Sequence, residues 1–268
     1  MRRLLLPVIL LAATTMLTER PVVSANRQAA PTAGMQLFLL AGQSNMAGRG
    51  DVADQDRTAH PRVWMFSRDM QWASAVEPMH FDKPIAAVGP GRAFGVAVAE
   101  ASPDIAVGLI PTAVGGSPIT AWQPGVLYPE TGAYPWDDAV RRTRAAMPQG
   151  ALRAILWHQG ESDGNDDAAA PLYEARLRSL IARFRAEFGD PTLPFIIGQL
   201  GRFEGKPWTV GYQRVDAAHQ RVAADVPNVR FVPSDGLRDK GDQLHFSADA
   251  AREFGRRYAR AYLALTRR

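Results

Sequence analysis

The chain has 268 residues, of which 46% are hydrophobic and 22% are charged. This balance predicts one sizeable folded domain and excludes a disordered or fibrous protein. Its 31 Lys and Arg residues against 27 Asp and Glu residues leave a net charge of only +4, so the composition does not indicate a nucleic-acid-binding surface. The chain contains no cysteine, which excludes disulfides, a thiolate metal site and a cysteine nucleophile.

Residues 1–25 have the features of a secretory signal peptide. Two arginines follow Met1, an apolar stretch runs from Leu4 to about Leu17, and Val23-Ser24-Ala25 matches a signal peptidase site. The apolar stretch is short for a membrane span, so we expect cleavage, with an uncleaved signal anchor as the alternative. The mature protein would then be secreted or periplasmic, without stable membrane association. We expect residues 26–34 to be a mobile leader and residues 35–268 to form the folded domain.

From Met35 onward, apolar runs of strand length alternate with amphipathic segments of helix length. The predicted strands are Leu37–Ala41, Val63–Phe66, Ile105–Ile110, Ala154–Trp157, Phe195–Gln199 and Val229–Val232. The predicted helices are Arg92–Ala101, Trp136–Ala146, Pro171–Phe188, Val210–Ala224 and Ser247–Leu265. Uninterrupted apolar strands that alternate with helices are typical of parallel sheets covered on both faces. We therefore expect an α/β fold, a three-layer α/β/α sandwich with a mostly parallel sheet of five or six strands.

Four polar or glycine-rich turns adjoin these segments. Gly42-Gln43-Ser44-Asn45 follows the first predicted strand, Gly115-Gly116-Ser117 follows the third, and His158-Gln159-Gly160-Glu161 follows the fourth. Asp242-Gln243-Leu244-His245 precedes the last predicted helix. Ligands of parallel α/β sheets bind beyond the carboxyl ends of the strands, so we expect the four turns to converge on one site.

The residues of these turns have complementary chemistry. Ser44 is a candidate nucleophile, His245 can take its proton, and Asp242 can orient the imidazole. The N–H groups of Ser44 and Gly116 and the side-chain amide of Gln159 can donate to an oxyanion. Each residue also has an ordinary structural explanation, as a helix cap, a buried histidine or a turn glycine. The hypothesis of a serine hydrolase therefore depends on their joint occurrence at the strand ends.

The extended motifs point to a known family. They are Gly42-Gln43-Ser44-Asn45-Met46, Gly115-Gly116-Ser117-Pro118-Ile119 with Trp122 after it, Trp157-His158-Gln159-Gly160-Glu161-Ser162-Asp163, and Asp242-Gln243-Leu244-His245-Phe246. Together they resemble the SGNH-hydrolase superfamily, in the branch of the sialate O-acetylesterases and the acetyl xylan esterases of carbohydrate esterase family 6. The resemblance runs from about Met35 to Tyr262.

This resemblance implies a flavodoxin-like three-layer fold and serine-dependent deacetylation of a carbohydrate. It implies that Ser44 is the nucleophile, that His245 is the base, and that Gly116 and Gln159 are oxyanion donors. Gln43 stands where the wider superfamily has an Asp, and Gln159 stands where it has an Asn. Both departures are those of the acetylesterase branch.

The carboxylate that orients His245 has two candidates. Asp242 fits the Asp-x-x-His pattern and is the one we favour, while Glu161 is the alternative acid or otherwise a supporting residue. The candidate substrate-binding residues are Gln43, Asn45, Arg49 and Trp122, the last as a sugar platform together with Tyr128. We expect no cofactor and no metal, because the sequence has neither a His-x-x-x-His pair nor cysteine ligands.

The residues and the resemblance together predict an exported serine esterase that removes O-acetyl groups from a polysaccharide or sugar of the acetyl xylan or sialate type. An acetylated carbohydrate is thus the expected partner, and nucleic acid is not. Two alternatives stay open: a lipid or aryl esterase on the same site, and a carbohydrate-binding module without turnover. No motif places a glycosidase-like pair of carboxylates, which argues against cleavage of the polymer backbone.

Overall fold

A computed structural model describes residues 30–31 and 33–266 of the chain. The predicted signal peptide, residues 1–25, lies outside the described residues, as do residues 26–29 and 32 of the predicted leader. None of the helices in these described ranges combines the length and the hydropathy that a membrane-spanning helix needs.

One central sheet of seven strands runs through the described part of the chain. The strands are β1 (Met35–Gly42), β2 (Val63–Phe66), β3 (Trp72–Ser74), β4 (Val107–Pro111), β5 (Gly150–His158), β6 (Phe195–Gly198) and β7 (Val229–Val232). Their order is β3-β2-β4-β1-β5-β6-β7, and every neighbouring pair is parallel except β2 and β3.

The predicted α/β class is confirmed, but the expected count of five or six strands is wrong. Numbered along the chain, the strands in the row β4-β1-β5-β6-β7 have the flavodoxin-like order 2-1-3-4-5. The additional strands β2 and β3 extend this row beyond β4. The strand that the sequence did not predict is β3, because it has only three residues, two of them exposed, and so lacks an apolar run.

Helices connect the strands, and the five predicted ones are all present. Between residues 33 and 266 the α-helices are α1 (Ser44–Ala47), α2 (Asp54–Arg57), α3 (Pro90–Ala101), α4 (Pro135–Ala146), α5 (Glu161–Gly164), α6 (Tyr173–Phe188), α7 (Val210–Asp225) and α8 (Ala248–Thr266). Short 3-10 helices span Ile119–Ala121, Met147–Gln149 and Ala170–Leu172. Local chemistry sets the ends: α3 and α4 begin with proline, and α6 ends at Gly189 in the left-handed conformation.

Both faces of the sheet are covered, as the apolar strands predict. Along β1, Leu37, Leu39 and Ala41 belong to one hydrophobic core, and Phe38 and Leu40 belong to the other. The first core also contains side chains of α4, α6 and α7, and the second contains side chains of α3 and α8. Since successive residues of a strand point to opposite faces, burial on both sides requires an apolar residue at every position. The three-layer sandwich is therefore confirmed.

The ends of β1 and β5 approach each other closely at the centre of the sheet. Gly42 ends β1 with φ +128°, and a Cβ at this position would lie 2.1 Å from the carbonyl oxygen of His158 at the end of β5. Only glycine tolerates both the conformation and the contact. The N–H of Gln43 then donates to the same carbonyl at 2.8 Å. The turn that carries Ser44 is thereby held beside the turn that begins with Gln159.

Candidate active site

Ser44, His245 and Asp242 form a continuous hydrogen-bonded series. The Nε2 atom of His245 lies 3.1 Å from Oγ of Ser44, and its Nδ1 atom lies 2.7 Å from Oδ2 of Asp242. A carboxylate only accepts, so Nδ1 carries the proton and the lone pair of Nε2 faces the serine hydroxyl. This is the arrangement that lets an imidazole remove a proton from a serine. Ser44 itself is 8% exposed, at the first position of α1.

The turn before α8 orients Asp242 as well as His245. Oδ1 of Asp242 accepts from the backbone N–H groups of Leu244 and His245 at 2.9 and 2.8 Å, which leaves Oδ2 for the imidazole. Burial tends to raise the pKa of Asp242, but the hydrogen bonds from the backbone and ring of His245 outweigh it and lower that pKa. Asp242 therefore stays ionised at neutral pH.

Asn45 fastens the loop of His245 to the turn of Ser44. Its Nδ2 donates to Oε1 of Glu161 at 2.7 Å and to the carbonyl of Leu244 at 3.0 Å, while its Oδ1 accepts from the N–H of Phe246 at 3.1 Å. Leu244 and Phe246 flank His245 in the sequence. All the hydrogen-bonding groups of the Asn45 amide are thus engaged within the protein, whereas the sequence had indicated a substrate contact.

Glu161 is close to the site but is bonded to other residues than His245. Its Oε1 accepts from Asn45 and lies 3.4 Å from Nε2 of the buried His158. Burial tends to raise the pKa of Glu161, but the contacts with His158 and Asn45 outweigh it and lower that pKa. The described residues therefore place Asp242, and not Glu161, in contact with the imidazole of His245.

Two backbone N–H groups of the candidate site have no acceptor among the described residues. The N–H of Ser44 belongs to the first turn of α1, where a helix offers no acceptor. Among the described residues, the N–H of Gly116 donates to no acceptor either. Gly116 has φ +88°, and its carbonyl accepts from Oγ of Ser162 at 2.7 Å. This hydrogen bond ties the Gly116 turn to α5.

The side-chain amide of Gln159 is engaged inside the protein. Its Nε2 donates to the carbonyl of Ser117 at 3.2 Å and to Oδ2 of Asp163 at 2.6 Å, and its Oε1 accepts from the hydroxyl of Tyr173 at 2.9 Å. The residue is fully buried. An oxyanion role for Gln159, as the resemblance implied, would require exchanging the longer bond to Ser117 for one to the substrate.

Arg49 is buried beside the turn of Gly115 and Gly116, whereas the sequence had indicated a substrate contact. It is 5% exposed, and its guanidinium pairs with Oδ2 of Asp82 at 2.7 Å. The same oxygen accepts from the N–H of Gly115 at 2.8 Å. Sequence reasoning missed Asp82, which lies in a segment without a motif and acquires its role only through contacts with distant residues.

The prediction that Trp122 is a sugar platform is corrected by its burial. Trp122 is 0% exposed, donates from Nε1 to Oγ of Ser117 at 3.0 Å and packs edge-on against Trp157 with 5.0 Å between ring centroids. A ring enclosed in this way has no free face for a sugar. Gln43 is 3% exposed, and its Oε1 lies 3.4 Å from the N–H of Gly160.

Three polar side chains surround Gly116, and only one of them was considered from the sequence. A Cβ on Gly116 would lie 2.8 Å from the hydroxyl of Tyr128, 3.4 Å from Oε2 of Glu130 and 3.9 Å from Nζ of Lys83. Burial and the hydrogen bond to Glu130 raise the pKa of Tyr128 above its usual range, so its hydroxyl stays protonated. These groups can hydrogen-bond to a substrate at Gly116, and no motif in the sequence identifies them.

Comparison with known proteins decides the family. A sequence model of the family described as carbohydrate esterase, sialic acid-specific acetylesterase matches residues 34–264. The chain belongs to this carbohydrate esterase family. A relative from Arabidopsis thaliana, named as a probable carbohydrate esterase, is 34% identical over 251 residues, which are 85% of this chain and 90% of the relative. The predicted class, a hydrolase of the carbohydrate acetylesterases, is therefore confirmed.

Solved structures give the same result for the fold of this carbohydrate esterase. The crystal structure of the Arabidopsis thaliana protein matches with a TM-score of 0.75 at 30% identity, over 87% of this chain and 98% of the other. The structure of NanS matches with a TM-score of 0.67 at 18% identity, over 90% and 99% of the two chains. A variant of Axe2, an acetyl xylan esterase from Geobacillus stearothermophilus, matches with a TM-score of 0.51 at 14% identity, over 87% and 96%. The last two likenesses support the fold alone.

Proposed function

We propose that this carbohydrate esterase is an exported serine enzyme that removes O-acetyl groups from a polysaccharide or sugar, of the acetyl xylan or sialate type. The observation that carries the proposal is the 3.1 Å contact between Ser44 Oγ and His245 Nε2, with Asp242 at 2.7 Å on the far side of the ring. Export rests on the signal-peptide features of residues 1–25 in the sequence.

The first half of the reaction forms an acetyl-enzyme. Ser44 Oγ attacks the acetyl carbonyl carbon while His245 Nε2 takes the hydroxyl proton, and Asp242 stabilises the resulting imidazolium. The N–H groups of Ser44 and Gly116 donate to the oxyanion of the tetrahedral intermediate. The bond from the carbonyl carbon to the sugar oxygen then breaks, and His245 gives its proton to the leaving sugar hydroxyl.

The second half of the reaction releases acetate. A water molecule attacks the acetyl carbon after giving a proton to His245, and collapse of the second tetrahedral intermediate returns that proton to Ser44 Oγ. The acetyl group as the acyl part is supported by the family description, which names acetylesterases. The relative in Arabidopsis thaliana is named as a carbohydrate esterase, which supports a sugar as the alcohol part.

Acetate release tests the proposal. Acetylated xylan, an O-acetylated sialic acid and an aryl acetate are incubated with the wild-type protein and with Ser44→Ala, and Ser179→Ala serves as a control because Ser179 is exposed on α6. We expect acetate from at least one acetylated saccharide, and a loss of about 10⁴-fold or more in kcat for Ser44→Ala alone. Full activity of Ser44→Ala would contradict the nucleophile, and activity on the aryl ester alone would favour a lipid or aryl esterase. Saccharide binding without turnover would indicate a binding module.

A further inference from the structure

The loop of residues 114–119, which contains Gly116, has almost all of its backbone N–H groups in hydrogen bonds. Pro118 has no N–H. Four of the other residues donate within the protein: Val114 to the Gly42 carbonyl at 2.9 Å, Ser117 to the Val114 carbonyl at 3.2 Å, Gly115 to Asp82 Oδ2 at 2.8 Å, and Ile119 to Asp163 Oδ2 at 2.9 Å. The N–H of Gly116 alone has no acceptor among the described residues. Since backbone N–H groups of folded proteins are nearly all paired, this loop leaves a single N–H for a ligand.

The carbonyl group of Gly116, in contrast, is held by Ser162. Oγ of Ser162 donates to it at 2.7 Å, and a hydroxyl has one proton to donate. Gly116 has φ +88°, in the left-handed region that glycine enters without steric cost. Because glycine also adopts other conformations freely, its own backbone does not fix the direction of the N–H. Contacts from neighbouring residues have to do so.

The peptide group that carries the free N–H lies between two peptide groups that are held. On one side, the N–H of Gly115 is held by Asp82. On the other side, the peptide group between Gly116 and Ser117 is held at both of its polar atoms. Its N–H donates within the loop at 3.2 Å, and its oxygen accepts from Ser162 at 2.7 Å. The direction of the Gly116 N–H therefore depends on the hydroxyl of Ser162.

Ser162 is itself fixed relative to the turn of Ser44. Its backbone N–H lies 3.4 Å from Oε1 of Gln43, the residue before Ser44. The residue before Ser162, Glu161, accepts at 2.7 Å from Asn45, the residue after Ser44. The beginning of α5 is thus attached to both neighbours of the candidate nucleophile. Through its hydroxyl, Ser162 connects this turn with the loop that carries the free N–H.

We propose that Ser162 is a positioning residue, whose hydroxyl holds the N–H of Gly116 in the direction in which it donates to the oxyanion formed at Ser44. The inference rests on the proposed function for the oxyanion itself. A donor to an oxyanion acts more strongly in the transition state than on the bound ester. Loss of the Ser162 hydroxyl therefore lowers kcat and leaves KM nearly unchanged.

Ser162→Ala tests this role, because it removes the hydroxyl and keeps the backbone N–H near Gln43. Ser234→Ala is the matched control, since Ser234 Oγ also donates at 2.7 Å to a backbone carbonyl, that of Leu200. Both variants are first shown by circular dichroism to be folded. Removing an oxyanion donor costs about 10²-fold or more in kcat. Because Asp82 still holds the loop, we expect Ser162→Ala to lower kcat for an aryl acetate by about tenfold with KM within about twofold, and Ser234→Ala to keep both within about twofold.

Hydrogen exchange measured by mass spectrometry reports on the loop without turnover. The N–H groups of Ser117 and Ile119 are hydrogen-bonded, so they exchange when the loop opens. In peptides that cover residues 114–119, we expect Ser162→Ala to exchange about fivefold faster than the wild-type protein, as for the loss of one hydrogen bond. We expect Ser234→Ala to leave exchange in these peptides unchanged.

The proposal requires both effects in Ser162→Ala. A lowered kcat with unchanged exchange would overturn it, as would faster exchange with an unchanged kcat. A raised KM with an unchanged kcat would indicate a direct substrate contact instead. An equal loss of kcat in Ser234→Ala would also overturn the proposal, because the loss would then follow from any missing hydrogen bond of this kind. Absence of turnover by the wild-type protein would refute the proposed function, whereas the exchange rates would still show whether Ser162 holds the loop.

Discussion

Replacing Asn45 by alanine separates two roles for this residue. The sequence indicated a substrate contact, whereas in the structure the amide bonds to Glu161, Leu244 and Phe246. A substrate-binding residue mainly raises KM when it is removed, and a residue that positions a catalytic group mainly lowers kcat. We expect Asn45→Ala to lower kcat and to leave KM within about twofold.

The magnitude follows from the bonds that are lost. Two of the three fix the residues on either side of His245, so without them the imidazole shifts relative to Ser44 Oγ, now 3.1 Å away. A displacement of about 1 Å in a catalytic group costs about 10²-fold in rate. In the third bond, Asn45 Nδ2 donates to the buried carboxylate of Glu161. The three lost bonds together lower the free energy of unfolding by about 3 to 4 kcal/mol.

Steady-state kinetics with an aryl acetate measure both parameters, at a temperature where circular dichroism shows the variant to be folded. Asn165→Ala is the matched control, because Asn165 is exposed and its Nδ2 lies 3.5 Å from the Tyr212 hydroxyl, outside the His245 loop. We expect the control to keep its kcat. An Asn45→Ala variant with an unchanged kcat and a raised KM would refute the positioning role and would support the substrate contact that the sequence indicated.

Three further predictions concern the candidate triad of Ser44, His245 and Asp242, the buried carboxyl group of Glu77, and the close approach of β1 and β5 at Gly42. Asp242→Asn is expected to lower kcat by about 10⁴-fold through the wrong tautomer of the imidazole, and Glu161→Gln by much less; the reverse order in aryl acetate kinetics would contradict the triad. Burial raises the pKa of Glu77 to about 8, from 4.5, so the folded state binds more protons and stability falls as the pH rises from about 5 to 8. Chemical denaturation should show that the free energy of unfolding of the wild-type protein falls by a few kcal/mol over this pH range and that Glu77→Gln removes this fall. The same pH dependence of stability in both proteins would exclude the raised pKa of Glu77. Gly42→Ala should destabilise by more than about 3 kcal/mol or prevent folding, whereas Gly236→Ala, with nothing within 4 Å, should cost about 1 kcal/mol; equal thermal shifts would contradict the close approach.

The fold and the meeting of the four turns could be predicted from the sequence because the polar turns adjoin the predicted strands and helices of a parallel sheet. Each of the predicted helices and strands has a long apolar or amphipathic pattern, and a parallel sheet then brings the residues after its strands to one edge. Ser44 and His245 are 201 residues apart, yet their side chains lie 3.1 Å from each other. The Asp-x-x-His turn is local, so its contact at 2.7 Å could be expected from spacing alone.

The direction in which polar side chains of the turns point could not be predicted in the same way. Asn45 and Arg49 closely follow the candidate nucleophile Ser44, and a polar residue there has the same pattern whether it faces substrate or a neighbouring loop. The choice depends on partners such as Glu161, 116 residues away, and Asp82, 33 residues away. Trp122 directly follows the short 3-10 helix Ile119–Ala121, and only the packing of its ring against Trp157 reveals its burial.

Two buried carboxylates hold loops of the candidate site, Asp82 through a backbone N–H and Glu161 through the side-chain amide of Asn45. Asp82 accepts from the N–H of Gly115, the residue before the candidate oxyanion donor, and Glu161 accepts from Asn45, which binds both neighbours of His245. Desolvation offsets much of the attraction that a buried carboxylate gains from its partner, so such contacts add little net stability. Their removal is nevertheless damaging, because the remaining partner is left buried and unpaired. We therefore expect these acids to affect catalysis through geometry, Asp82 by fixing the loop of Gly115 and Gly116, and Glu161 by fixing the loop of His245 through Asn45.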